Sequence, residues 1–395
     1  MNEFEWQLPT KLIYGAGCVT DVARESLQYG HRAMIVTYLR GNGLDKTLDK
    51  VEKSLADIGL ESVVFAHIEP NPRSKTIDKA IAMFISNNCD FVIAIGGGSV
   101  IDAAKLVAAT ACCGGVCWDY VMGVNNASNH YNDTYPLIAI PSIAAVGSEA
   151  NSTAIVVNSN TQEKGIIRSD VLLPKVTVID PEIQTSVPLR LTQDSCISIF
   201  ASLLERYLAS SNESECADKL IEDMILCLKD NTEKIIYDID NIEVRSQLAR
   251  CSTFFCSSKN TNGIQKKASL QYLGMPLSAR YDLPYGRSMV LIVVAYLAYF
   301  ADVSPQRLAK LARRCFNVTE QDDIKAAAML SGEVTKWFKS THSYLTFGDV
   351  GIPNEKFELM AEDAIRLHEN AIEDAELGAW SINKQDVINI YNLCK

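Results

Sequence analysis

The stretch Phe91-Val92-Ile93-Ala94-Ile95-Gly96-Gly97-Gly98-Ser99-Val100-Ile101-Asp102-Ala103-Ala104-Lys105 decides how the chain is read. An unbroken apolar run ending in glycine predicts a strand buried on both faces. Three glycines then turn the chain, Ser99 stands as N-cap, and a helix follows. Glycines there let the backbone approach a ligand closely, and the helix end presents N–H groups and a positive dipole. The combination suits a pyrophosphate. Asp102, in the first helical turn, can cap the helix or accept hydrogen bonds from a ribose or an amide. A tight turn that binds nothing is the plainer alternative.

On either side of this motif, short apolar runs alternate with helical patterns. Strands are predicted at Arg32–Thr37, Ser62–His67, Phe91–Ile95, Leu137–Ile140 and Val176–Ile179, with helices such as Lys75–Asn87 and Val100–Thr110 between them. Such alternation predicts a parallel sheet covered on both faces. After Asp180-Pro181 the β-branched alternation stops. Helices are predicted over Thr192–Ser210, Glu213–Asp230, Glu243–Ser257, Arg287–Ala301, Ser304–Cys315, Asp323–Lys339 and Asn354–Asn370. The expectation is an α/β domain over residues 1–185 and an all-helical domain over 186–395, joined through a segment carrying Pro181 and Pro188.

Composition narrows the function classes. Apolar residues make up 48% and charged residues 22% of the 395, as in a globular protein. A net charge of −11 without a basic cluster argues against nucleic acid or an anionic membrane as partner. The most apolar stretch, Met289–Ala301, is too short to cross a bilayer. The opening Met1–Trp6 lacks the basic start and apolar run of a signal peptide, so the cytoplasm is the expected location. Twelve scattered cysteines miss CxxC spacing and are expected to be reduced. The expected partners are a small-molecule substrate and a second copy of the chain in a dimer.

The GGGS-xx-D-xAK pattern resembles the phosphate-binding signature of the iron-containing (group III) alcohol dehydrogenase family. It differs from the GxGxxG of Rossmann enzymes. Leu12–Gly17, Glu69-Pro70-Asn71-Pro72, Ile140–Glu149, Lys164, Leu173–Pro181 and Asn383–Val387 resemble further segments of the family, nearest its butanol dehydrogenase and NADPH-dependent aldehyde reductase branch. The resemblance implies a Rossmann-like parallel-sheet domain followed by a helical domain, as in dehydroquinate synthase. It implies that Gly96, Gly97, Gly98, Ser99, Asp102, Ser142 and Lys164 line NAD or NADP. Two departures stand out. The family's threonine pair is here Ser142-Ile143, which removes one hydroxyl. The loop Thr37–Gly43 has no acidic residue to grip a ribose 2′-hydroxyl, whereas Arg40 can meet a 2′-phosphate. NADP is therefore favoured, with a solvated loop arginine as the alternative.

The family holds a divalent metal with one aspartate and three histidines of the helical domain. Glu205 and Tyr207 anchor the register, which places Ser198 and Ser202 on the first two ligand positions. The run Gln271–Gly286 matches the next blocks without a gap. Gln271 and Tyr285 fall on the other two ligands, and Met275 on a further histidine. Hydroxyls, a carboxamide and a phenol are weak neutral donors beside imidazole and carboxylate, so no metal is expected. The five histidines, at 31, 67, 130, 342 and 368, lie outside these motifs.

Without a metal, another electrophile must stabilise the developing alkoxide. Tyr285 as proton donor, tuned by Lys267, is the candidate pair; a space-filling tyrosine and solvated lysines are the alternative. The resulting expectation is an NAD(P)-dependent oxidoreductase acting on a small alcohol or aldehyde without a metal. The second class is a catalytically inactive relative that binds nucleotide as a sensor or subunit. A lyase or cyclase of the dehydroquinate synthase kind is disfavoured, because that chemistry also uses a metal.

Overall fold

A computed structural model describes residues 6–124, 130–209, 215–256, 259–260, 270–372 and 382–395. The strands are β1 (Trp6–Gln7), β2 (Lys11–Tyr14), β3 (Arg32–Tyr38), β4 (Glu61–Ile68), β5 (Phe91–Gly96), β6 (Leu137–Pro141), β7 (Thr153–Val157), β8 (Lys164–Arg168), β9 (Val176–Ile179) and β10 (Lys259–Asn260). The helices are α1 (Asp21–Ser26), α2 (Asp45–Ala56), α3 (Ser74–Ser86), α4 (Gly98–Cys113), α5 (Pro181–Gln184), α6 (Leu189–Ala209) and α7 (Glu215–Ile235). They continue with α8 (Ile242–Cys256), α9 (Leu270–Tyr281), α10 (Tyr285–Phe300), α11 (Pro305–Phe316), α12 (Asp323–Ser340), α13 (Phe357–Ile372) and α14 (Lys384–Leu393).

The five strands expected from sequence all lie in one parallel sheet, ordered β2-β9-β6-β5-β3-β4. Side chains alternate between its two faces, as the two-residue period of a strand requires. On β3, Met34 and Val36 pack in the cluster that includes Ile77, Phe84, Val100 and Val107 of α3 and α4. Ala33 and Ile35 pack on the other face, with Val22, Leu48 and Val51 of α1 and α2. Both faces are thus dry, which explains why these strands read as continuous apolar runs. The antiparallel hairpin β7–β8 is an addition to the expected strands. Its five-residue runs carry no period that separates strand from helix.

Two compact units divide the chain. One comprises Trp6–Pro188 with Ile239–Lys259, the other Leu189–Asp238 with Asn260–Lys395. Helix α8, expected among the helices of the second domain, packs instead in the sheet-bearing unit. Its Arg245 donates to the Val187 carbonyl at 3.2 Å and its Thr253 to the Glu149 carboxylate at 2.7 Å.

The other unit is helical. Helix α10 packs against α6, α9, α12 and α14, and Phe200, Trp337 and Phe338 form an aromatic cluster. Helix α9 escaped the sequence reading because Gly274 and Pro276 interrupt its pattern. Asn383 and Asp386 form a reciprocal capping box at the start of α14, where the resemblance placed the last helix. Among the described residues no helix is long and apolar enough to cross a membrane.

Candidate functional site

From β3 the chain moves outward to β4, and from β5 it moves the opposite way to β6. Strand order therefore reverses between β3 and β5. In open parallel sheets, ligands bind at the carboxyl ends of the strands flanking such a point. The glycine turn sits there, at the end of β5. A β-carbon on Gly97 would lie 3.0 Å from both the Tyr38 hydroxyl and the Ile143 Cγ2, and one on Gly96 would lie 2.5 Å from Val100. A side chain at residue 96 would force Val100 to shift, and one at residue 97 would require the Tyr38 hydroxyl and the Ile143 methyl to give by a few tenths of an ångström.

Ser99 is not the N-cap. The Gly97 carbonyl accepts from Val100 and Ile101 N–H groups at 3.0 and 3.1 Å, so α4 begins two residues earlier than expected. The Ser99 hydroxyl instead accepts from the Asn71 N–H at 3.3 Å. The Asn71 side chain accepts from the buried Lys164 ammonium at 2.8 Å, and the Ser142 N–H donates to the Gly96 carbonyl at 3.0 Å. Four segments remote in sequence thereby meet at one turn.

Asp102 faces inward. One carboxylate oxygen accepts from the Ser148 hydroxyl and the other from the Ile155 N–H at 3.1 Å, so the aspartate braces the segment before β7 and β7 itself. Burial raises its pKa, opposed by Lys105, Ser148 and Ile155. Lys105 is 1% exposed and donates to the Asn151 side chain and the Thr153 carbonyl at 2.9 and 2.8 Å. Burial pushes its pKa down to about 8, against the pull of Asp102 and Glu149.

Arg40 lies beside a group of carboxylates. Its guanidinium lies 3.2 Å from both Asp49 and Glu52, and 3.8 Å from Asp45. Three carboxylates from the start of α2 and its next two turns surround the half-exposed guanidinium. Tyr38 and Asn71 were missed as site residues. Tyr38 ends the strand beside β5, and burial pushes its phenol up to about 12. Asn71 adopts a left-handed φ of 55° within the Pro-Asn-Pro stretch, the one local signal of its role.

In the helical unit, α6, α9 and α10 carry the positions that the sequence resemblance aligns with metal ligands, and α10 packs on both α6 and α9. Ser198 is buried and donates to the Ser195 carbonyl at 2.8 Å. Ser202, Gln271 and Tyr285 are half-buried, and Met275 is fully buried. The Gln271 N–H donates to Glu205 at 3.0 Å. Tyr285 opens α10. Lys267 lies outside the described residues. One histidine does approach this region: His368 packs edge-on against Tyr272, ring centres 5.6 Å apart, and burial lowers its pKa. Among the described residues no three His, Cys, Asp or Glu side chains gather as a metal would need.

The family model for iron-containing alcohol dehydrogenases matches residues 9–181, and that for the C-terminal part of the same family matches residues 192–393. The chain is 29% identical to NADH-dependent butanol dehydrogenase A of Clostridium acetobutylicum and 28% identical to a probable NADH-dependent butanol dehydrogenase of Bacillus subtilis, with 99% of each chain covered in both cases. It is 26% identical to an NADPH-dependent aldehyde reductase of Escherichia coli over 82% of each chain. The crystal structure of a butanol dehydrogenase of Thermotoga maritima superimposes with a TM-score of 0.91 at 27% identity, covering 100% of this chain and 99% of that one. The relatives named here are NAD(P)-dependent alcohol or aldehyde oxidoreductases. The chain described here belongs to the iron-containing alcohol dehydrogenase family.

Proposed function

We propose that the protein is an NAD(P)-dependent oxidoreductase that interconverts a small alcohol and its aldehyde or ketone without a bound metal. The observation that carries this reading is the glycine turn at the strand-order reversal, tied through Ser99 and Asn71 to Lys164. That arrangement fits a dinucleotide: close backbone approach at Gly97, a helix N-terminus, and a buried cation nearby. The donor set Ser198, Ser202, Gln271 and Tyr285 does not fit a divalent metal, because it offers neither imidazole nor carboxylate. When bound, the nicotinamide supplies or accepts the hydride. In the reducing direction Tyr285 gives its phenolic proton to the substrate oxygen, and in the oxidising direction it takes the proton back. Lys267, four residues before Gln271, is proposed to lower the phenol's pKa.

Calorimetric titration with NADH and NADPH, on wild type and Gly97→Asp, tests the binding half. Wild type should bind and the variant should not, since a carboxylate at residue 97 meets Tyr38, Ile143 and the phosphates. Negligible heat from both cofactors on wild type would reject the reading. Nicotinamide absorbance with a panel of small aldehydes tests turnover. The replacement of all four ligand positions favours a second reading, a nucleotide-binding relative without activity. Tight cofactor binding with no turnover on any substrate would establish that reading instead.

A further inference from the structure

In a metal-bearing site one ion ties several helices together through its ligands. Here the same helices carry a different fastener. The Arg287 Nε lies 2.9 and 3.0 Å from the two Asp194 oxygens, and Nη2 lies 2.7 Å from one of them. This is a fork-like, charge-assisted pairing. Asp194 is 5% exposed and Arg287 15%, so solvent screens the pair weakly.

Its location is specific. Asp194 precedes Ser198 by one turn of α6, and Arg287 follows Tyr285 by two residues in the first turn of α10. The helices come this close because residue 286 is glycine; a β-carbon there would collide with the Asp194 carbonyl oxygen. A second tie, from the Gln271 N–H to Glu205, joins α9 to α6 three residues beyond Ser202.

We infer that the Asp194–Arg287 ion pair takes over the cross-linking role of a metal, fixing the first turn of α10, and with it Tyr285, on α6. The inference rests on the metal-free reading above. It predicts that the fold needs the pair and not an ion, and that a restored metal site would relieve the need for the pair.

Thermal melts of the full-length protein test it. Chelator should leave the wild-type Tm unchanged, and Arg287→Met should lower it by roughly 5–15 °C, the cost of stranding a buried carboxylate. The double variant Asp194→Leu/Arg287→Met should lose less than the sum of the single losses, because neither charge is then stranded. In a background carrying Ser198→Asp, Ser202→His, Gln271→His and Tyr285→His, loaded with zinc, Arg287→Met should lose less than half of what it loses in wild type. A metal-free wild type whose Tm is indifferent to Arg287→Met overturns the inference and leaves the metal-free reading standing. Strictly additive losses in the double variant, or an undiminished loss in the zinc-loaded background, overturn it too. Elemental analysis of the wild type is the separate check: about one metal per chain would end the metal-free reading and this inference with it.

Discussion

Tyr285, the proposed proton donor, opens α10 immediately after Pro284. If it is the proton donor, Tyr285→Phe should lower kcat by roughly 10²–10⁴-fold while leaving cofactor affinity unchanged. Steady-state kinetics beside calorimetry decide this, and a phenylalanine variant that turns over normally moves the proton elsewhere. Arg40 tests a narrower point. Its exposed carboxylate partners at 3.2 Å compete with a 2′-phosphate for the guanidinium. Arg40→Ala should therefore change NADPH affinity by less than about threefold, well under the roughly 1.5–3 kcal/mol of a charged hydrogen bond. A tenfold weakening specific to NADPH would restore the 2′-phosphate role. Glycine positions are legible in a sequence because glycine has one physical meaning at a tight turn. The direction of the Asp102 carboxylate was not legible, since Ser148 and Ile155 reach it from 46 and 53 residues away.

At the scale of elements, α4 carries the glycine turn at one end and a buried charge cluster one turn further on. Lys105 is the cation of that cluster, with Asp102 and Glu149 raised in pKa by burial around it. Lys105→Met should destabilise the protein by about 2–4 kcal/mol, through lost charged hydrogen bonds and uncompensated carboxylates. The pH dependence has a definite sign. In the folded chain Lys105 releases its proton near pH 8, whereas an unfolded chain keeps it to about 10.4. Between these values the unfolded chain binds the extra proton, so this group makes stability rise with pH. The variant lacks that rise, and its unpaired carboxylates hold protons longer in the folded state, which makes its stability fall with pH. The gap between wild type and variant should therefore widen from pH 7 to 10 in urea melts. A gap that narrows would contradict the assignment. Among the elements, long periodic helices and two-face-buried strands were legible. Helix α9 and the β7–β8 hairpin were not, because a proline-broken helix and a five-residue strand carry no decisive period.

For the whole molecule, the division into units does not follow the chain. Helix α8 returns to the sheet-bearing unit after α6 and α7 have been built into the other. There Ser252 accepts from the Ala145 N–H at 3.1 Å, Thr253 satisfies buried Glu149, and Arg245 binds the Val187 carbonyl. A fragment ending at Pro188 would lose all three, at about 1–3 kcal/mol for each buried group left unsatisfied. Such a fragment should show no cooperative melt by circular dichroism. A sharp transition near the wild-type midpoint would show that α8 is dispensable.

The sequence by itself determined the fold class, the family and the glycine turn. Each of these is either a local periodicity or the identity of residues within one contiguous motif. The tertiary structure alone decided which groups Asp102, Ser99 and Arg40 engage, where α8 belongs, and that Arg287 meets Asp194 across 93 residues of chain. Such pairings depend on how folded elements are brought side by side, and no spacing within a single segment encodes them.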